Sequence, residues 1–294
     1  MNTDILCEIE FQEGQDSVAR ECLEQAFTMM RSFEDHYSRF KKGNVLWQFN
    51  ESTTFSLTPE FFDILTLAKR AFEQTGGLFD PSILPTLHKA GYHGAHHEET
   101  TGTQPSFSEL ILDPVTLTAT KPRDLLIDLG GIGKGYIVDQ VSHFLAQHFE
   151  NFLVDAGGDI FVKGVNKKEE YPYWAIDVEH PHSEQASPAL LLLTDTAVAT
   201  SGSNRRHWIQ DGVKQHHIID PTTQKSAKTE FLSVTVIADT TVSADVFAKT
   251  LFIAGKERGQ TIAEQHHLPA IFIEHTGAVH INQYAKPYVW KEDK

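Results

Sequence analysis

Apolar and polar residues alternate at the start of the chain. Ile5, Cys7, Ile9 and Phe11 fall on one side of an extended segment, which predicts a half-buried N-terminal strand. Over residues 17–37 the period becomes helical, with Val18, Cys22, Leu23, Ala26, Phe27, Met30 and Phe33 on one apolar stripe. A second helix is expected over 58–75, where Pro59 suits the first turn and Gly76-Gly77 supplies the stop. Leu78-Phe79-Asp80-Pro81 then opens a loop-rich region through His97, and 98–108 is polar enough for a surface excursion. Leu125-Leu126-Ile127 reads as a short strand before a glycine-dense turn, and Ile137, Val138, Val141, Phe144 and Leu145 as a helix after it. Strands follow at Phe152-Leu153-Val154-Asp155, Trp174–Val178, Ala189–Leu193 and 232–238. A helix over 243–254 closes at Gly255, and 270–274 with 278–282 form a hairpin about Thr276-Gly277. Without a strict βαβα rhythm, the pattern predicts an α+β fold of mixed or antiparallel sheets with flanking helices.

Composition narrows the partners. With 294 residues and 40% hydrophobic content, the chain can bury a substantial core. No low-complexity linker splits it, so a single domain over 1–294 is expected. Forty acidic residues against 25 basic give a formal charge of −15, which argues against nucleic acid or an anionic membrane as the main partner. An anionic ligand would therefore need local cations. Cys7 and Cys22 lack metal or redox spacing and read as structural thiols. No apolar run reaches the ~20 residues of a membrane span. A signal-peptide pattern is missing too, so a cytoplasmic protein is expected, although a chain trimmed of its leader would read the same.

The turn Asp128-Leu129-Gly130-Gly131-Ile132-Gly133-Lys134-Gly135-Tyr136, followed by Asp139, is the densest chemical signal. Glycines between strand and helix let backbone N–H groups approach a ligand, and Lys134 places a positive charge where a phosphate could sit. Its spacing is neither a Walker loop nor a dinucleotide fingerprint, and alone it could be a plain connector. Other clusters accompany it. They are Thr75-Gly76-Gly77-Leu78-Phe79-Asp80-Pro81, Val154-Asp155-Ala156-Gly157-Gly158-Asp159, Ala199-Thr200-Ser201-Gly202, His217-Ile218-Ile219-Asp220-Pro221, and Ser243-Ala244-Asp245 opening a helix that ends at Gly255. Taken singly, Asp80 and Asp220 before proline are ordinary turn initiators, and Asp155 and Asp159 could bond their own glycine turn. Most of the 16 histidines need no role, and the pairs His96-His97, His216-His217 and His266-His267 lack the company of a zinc site.

Six such clusters in this order resemble the ApbE-type flavin transferases, which are FAD:protein FMN transferases. Ser38-Arg39-Phe40, with Asn50 beyond and Met1-Asn2-Thr3 at the start, fits the same family. The resemblance implies a T-fold-like architecture that binds FAD and, with Mg²⁺, transfers its FMN half to a Ser or Thr hydroxyl of a client protein, releasing AMP. The implied client is a flavin-carrying redox protein. By position, the resemblance puts Met1, Phe40, Leu78, Phe79, Asp80, Asp128, Lys134 and Ile219 around FAD. It puts the Gly131 carbonyl and Asp245 at the metal, and His217 where the proton is moved. The residue types suit the chemistry. A hard cation neutralises phosphoryl oxygens, a histidine titrates near working pH, and Phe40 or Phe79 could stack on a ring.

Two departures stand out. Asn44-Val45 replaces the family's usual Ser-Glu after Phe40. Four residues beyond Asp245, where the family places a second metal ligand, a threonine, stands Lys249, with Thr250 one position later and about 100° away around the helix. An ammonium cannot ligate Mg²⁺ and can pair with Asp245 at i,i+4. Three readings follow: a working FMN transferase, an FAD pyrophosphatase giving FMN and AMP, and a non-catalytic FAD binder.

Overall fold

The computed structural model describes residues 3–92, 94, 104–167, 172–180, 187–203, 207–210 and 212–291. Met1, His96 and His97 lie outside them. Among the described residues six α-helices form: α1 (Asp16–Tyr37), α2 (Val45–Glu51), α3 (Pro59–Gln74), α4 (Leu84–Lys89), α5 (Gly133–Leu145) and α6 (Thr241–Gln265). Packing divides the chain into two compact units. One comprises Met1–Arg31, Lys134–Asn204 and Thr229–Lys294, and the other Ser32–Gly133 and Arg205–Lys228. The division falls within α1 and within the glycine turn.

The first unit is built on a seven-stranded sheet whose strands lie in chain order and are antiparallel throughout. They are β1 (Ile5–Glu10), β2 (Asn151–Ala156), β3 (Asp159–Lys163), β4 (Thr196–Gly202), β5 (Phe231–Ala238), β6 (Ala270–Glu274) and β7 (Val279–Ile281). Strand β5 is buried along nearly its whole length because both faces are covered. On one face Leu153, Val162, Val198, Leu232 and Ile271 pack against Trp174, Val178, Leu191 and Leu193 of a two-stranded ribbon, Trp174–Val178 with Ala189–Leu193. On the other face α6 packs against β4 and β5, where Ala197, Ala199 and Ala244 allow close approach. Gly255 does end the first half of α6, at φ 75° and ψ −176°, but a further helical stretch continues to Gln265, which the sequence pattern does not reveal. On α1 the expected stripe is shifted: Val18 is exposed and Ala19 is buried in its place, while Phe11 lies exposed beyond β1. Both cysteines are free thiols; burial, then the charge of Asp155, raises Cys7 to about 12, as befits a structural residue.

In the second unit, α3 forms where its caps dictate. The Thr58 hydroxyl accepts the Phe61 amide, Pro59 occupies the first turn, and Gly76 and Gly77 take positive φ after Gln74. Helix α2 is capped by Asn44, whose side chain accepts the Trp47 amide and donates to the Ser38 carbonyl. Three short strands, Thr54–Ser56, Thr118–Thr120 and Ile111–Asp113, pair antiparallel with Thr118–Thr120 in the middle. Tyr37, Phe49, Phe55 and Phe61 meet ring to ring in the core.

Three expectations need correction in this unit. Leu125-Leu126-Ile127 is not a strand. Its backbone is served by the buried Asn50 side chain, which accepts from Ile127 N at 2.9 Å and donates to Ile127 O at 3.0 Å. A buried amide with both a donor and an acceptor takes the place of a partner strand. The loop-rich region after Pro81 contains α4, preceded by a 3₁₀ turn at Pro81–Ile83. The polar excursion ends in a capped 3₁₀ turn, Phe107–Glu109, that buries Phe107 completely; of the rest, 98–103 lies outside the described residues.

Candidate active site

The glycine turn answers two demands. The Leu129 carbonyl accepts both Ile132 N at 3.1 Å and Gly133 N at 2.7 Å, folding the chain back as α5 begins. A Cβ on Gly135 would lie 2.8 Å from Thr241 O and Val242 N, so this glycine lets α6 start against α5. Asp139, one turn along α5, holds the same place: its carboxylate accepts Thr241 N at 2.7 Å and Val242 N at 3.0 Å. A negative charge at a helix N-terminus is favourable, and here burial raises the Asp139 pKa against the pull of those two amides. Gly135 and Asp139 therefore have packing reasons to be present. Gly130 differs: it is exposed, and the atoms nearest a Cβ there would be those of the Asp128 carboxylate, the first at 2.9 Å. Gly130, with the half-buried Gly131 after it, is the part of the turn left open to a ligand.

In the first unit two buried carboxylates each hold an ammonium. Lys134 Nζ lies 2.5 Å from Asp159 Oδ2, and Lys249 Nζ lies 2.6 Å from Asp245 Oδ1. Burial, then the charge of Asp245, raises the Asp159 pKa, while Lys134 opposes the shift. The second oxygen of Asp245 is buried and has no hydrogen-bond partner among the described residues. Thr250 is fully buried, and its hydroxyl donates to the Val246 carbonyl at 2.8 Å. Asp155 bonds its own turn, through Gly158 N at 2.7 Å; Asp159 does not, because its carboxylate is taken by Lys134. That pairing joins residues 25 apart in sequence and is invisible to motif reading.

In the second unit Phe40 is half exposed, whereas Leu78, Phe79 and Ile219 are buried, so Phe40 is the accessible ring of this set. The Arg39 guanidinium lies over the Phe40 ring at 4.6 Å and the Tyr92 ring at 4.1 Å, and its Nε is 3.8 Å from Asp128 Oδ1. Tyr92 in turn stacks on Trp208 with centroids 5.0 Å apart and planes 16° off parallel. Sequence reasoning missed this stack, because Tyr92 and Trp208 belong to distant segments with no motif of their own. Asp80 caps the 3₁₀ turn after it, accepting the Ser82 amide at 2.8 Å and hydroxyl at 2.6 Å; burial raises its pKa despite these bonds. Asp220 accepts the Thr222 amide and Thr223 hydroxyl in the same manner.

The two adjacent histidines have separate situations. His216 is buried; its Nδ1 accepts Ile218 N at 3.3 Å and its Nε2 faces the Ala227 carbonyl at 2.9 Å. One nitrogen accepts and the other must donate, which fixes a neutral tautomer and a structural role. His217 is half-buried, on the bend between the strands Val213–His216 and Ile219–Asp220. Among the described residues no group of three or more His, Cys, Asp or Glu could hold a metal ion, and no helix is long and apolar enough to cross a membrane.

Comparisons with known proteins agree with one another. A family model described as "ApbE family" matches residues 1–272. The FAD:protein FMN transferase of Vibrio cholerae serotype O1 is 32% identical over 262 residues, covering 84% of this chain and 78% of the relative. That of Haemophilus influenzae is 29% identical over 272 residues, covering 86% and 78%. Among solved structures, the flavin transferase ApbE from Vibrio cholerae aligns with a TM-score of 0.84 at 29% identity, covering 98% of this chain and 96% of the other. The ApbE protein of Thermotoga maritima aligns with the same TM-score at 24% identity and the same coverage, a likeness of fold. The α+β architecture with antiparallel sheets is thus the one these transferases share.

Proposed function

This chain belongs to the ApbE family, and from that premise we propose that it binds FAD and transfers the FMN half to a Ser or Thr hydroxyl of a client protein, releasing AMP. The observation that carries the reading is the likeness to a FAD:protein FMN transferase in both sequence and fold over most of the chain. The residues assigned to FAD are Phe40, Leu78, Phe79, Asp80, Asp128, Lys134 and Ile219; Met1, assigned with them, lies outside the described residues. Phe40, exposed and backed by Arg39, offers a ring face, and the open backbone at Gly130 admits close approach.

The reaction is a phosphoryl-centred substitution. The client hydroxyl oxygen forms a bond to the phosphorus on the FMN side of the pyrophosphate. The bond from that phosphorus to the bridging oxygen breaks, and the bridging oxygen leaves with AMP. His217 takes the hydroxyl proton, the role for which a half-buried imidazole on a bend suits best. The resemblance also implies Mg²⁺, held by the Gly131 carbonyl and Asp245. Magnesium demands near-octahedral oxygen coordination, and one oxygen of Asp245 is already bonded to an ammonium where the family has a hydroxyl ligand. Asp245 keeps one buried oxygen without a partner among the described residues, but with an ammonium in place of the second ligand the donor set does not fit the ion, and no step here runs through it. The client is a protein that carries covalent flavin for redox work.

Incubation with FAD and a client bearing the acceptor residue tests the proposal. Flavin covalently attached to the client is expected. Free FMN with AMP would indicate a pyrophosphatase, and bound but intact FAD a carrier; either would overturn the transferase reading.

A further inference from the structure

The first half of α6 carries its own counter-charge. Asp245 and Lys249 share one face at i,i+4, and their ion pair is largely withdrawn from water, with side chains 5% and 17% exposed. The neighbouring pair, Asp159 with Lys134, is 2% and 22% exposed. Two carboxylates against two ammoniums leave the cluster neutral. A divalent ion would add two positive charges beside a shielded lysine, where screening by solvent is weak. Lys249 has donors only and can give no electron pair to a metal. Thr250, the hydroxyl next to Lys249 in sequence, is fully buried and about 100° away around the helix, so it cannot substitute.

We propose that Lys249 is the resident cation of this locus: its ammonium occupies Asp245 in place of a divalent metal, so the protein holds no Mg²⁺ on that carboxylate and binds FAD without one. The inference deepens the proposed function, but only its FAD arm rests on that reading. Its direct test needs no FAD. The full chain is titrated with Mn²⁺, a hard cation readable by electron paramagnetic resonance, as the parent, Asp245→Ala, Lys249→Thr, Lys249→Ala and Lys249→Thr/Asp245→Ala. The parent should show no site that depends on Asp245. Lys249→Thr should gain one site per chain, at least tenfold tighter than any in the parent, and the added Asp245→Ala should remove it. Lys249→Ala, which frees the carboxylate without adding a ligand, should gain a weaker site.

In the FAD arm, the parent affinity should agree within twofold between chelator and Mg²⁺, while that of Lys249→Thr should tighten with Mg²⁺. A parent that binds one Mn²⁺ and loses it in Asp245→Ala would overturn the inference. So would two lysine variants that fold, by circular dichroism, yet gain no site. If no variant binds FAD but Lys249→Thr gains its Mn²⁺ site, the proposed function fails and the lysine assignment stands.

Discussion

Gly135→Ala is the substitution whose cost can be worked most directly from the structure. The new methyl would sit 2.8 Å from Thr241 O and Val242 N and 2.9 Å from Thr241 C, against an ordinary contact beginning at 3.4 Å. The deficit is about 0.6 Å, and all three atoms are backbone, so no side chain can rotate away. The start of α6 must move, yet Asp139 holds it through hydrogen bonds of 2.7 and 3.0 Å to the same two residues. Overpacking of this kind costs ~1–3 kcal/mol, and stretching a charge-assisted bond adds to it. Replacing a helical glycine with alanine returns ~0.5–1 kcal/mol of propensity. The net expectation is a loss of about 2 kcal/mol. Urea unfolding should show a lower midpoint at an unchanged slope. Gly130→Ala is the internal control: the atoms nearest its methyl belong to the Asp128 carboxylate, a side-chain end that can turn, and stability should change by less than ~0.5 kcal/mol. If Gly135→Ala is as stable as the parent, or Gly130→Ala is the more damaging, the packing argument for the turn is wrong.

Other consequences concern neighbouring groups. His217→Ala should slow FMN transfer by ~10²–10⁴-fold with FAD affinity near the parent value, whereas His216→Ala should lower the unfolding midpoint; a reversal in paired kinetic and denaturation measurements would exchange their roles. Asn50→Ala removes both bonds to the Ile127 backbone and should cost about 2–6 kcal/mol in urea unfolding, since each of the two buried partners left unpaired costs ~1–3 kcal/mol. Burial lowers Lys121 from 10.5 to about 8, so between those values the unfolded chain binds the extra proton and stability should rise with pH. The penalty is fully present below pH ~8, and Lys121→Met should flatten that rise; equal pH slopes in parent and variant would refute the assignment.

How far the sequence could be read depended on whether the relevant interaction was local. Thr58, Pro59 and Gly76-Gly77 specify α3 by contacts within a turn, and both its ends agree with the pattern. Trp174–Val178 and Ala189–Leu193 are strands as the pattern predicts, since each fills one face of a ribbon. Leu125-Leu126-Ile127 has the composition of a strand, but the group that satisfies its backbone is a side chain 77 residues earlier. Strand β3 was hidden behind the Gly157-Gly158 turn, and β4, with its alanines, read as a motif because its pairing with β5 is long-range. At the site, the Lys249–Asp245 pair was legible because helical spacing fixes it. The Lys134–Asp159 pair and the Tyr92–Trp208 stack were not, because tertiary folding alone brings them together.

The central claim is that a phosphodiester to protein is made, and mass spectrometry of the client measures it most directly. After incubation with FAD and this protein, the client should gain one FMN group on its acceptor Ser or Thr, with one AMP released per flavin attached, and the same client with that residue changed to alanine should gain none. AMP released without any mass gain on the client, or flavin attached equally well to the alanine client, would contradict the account.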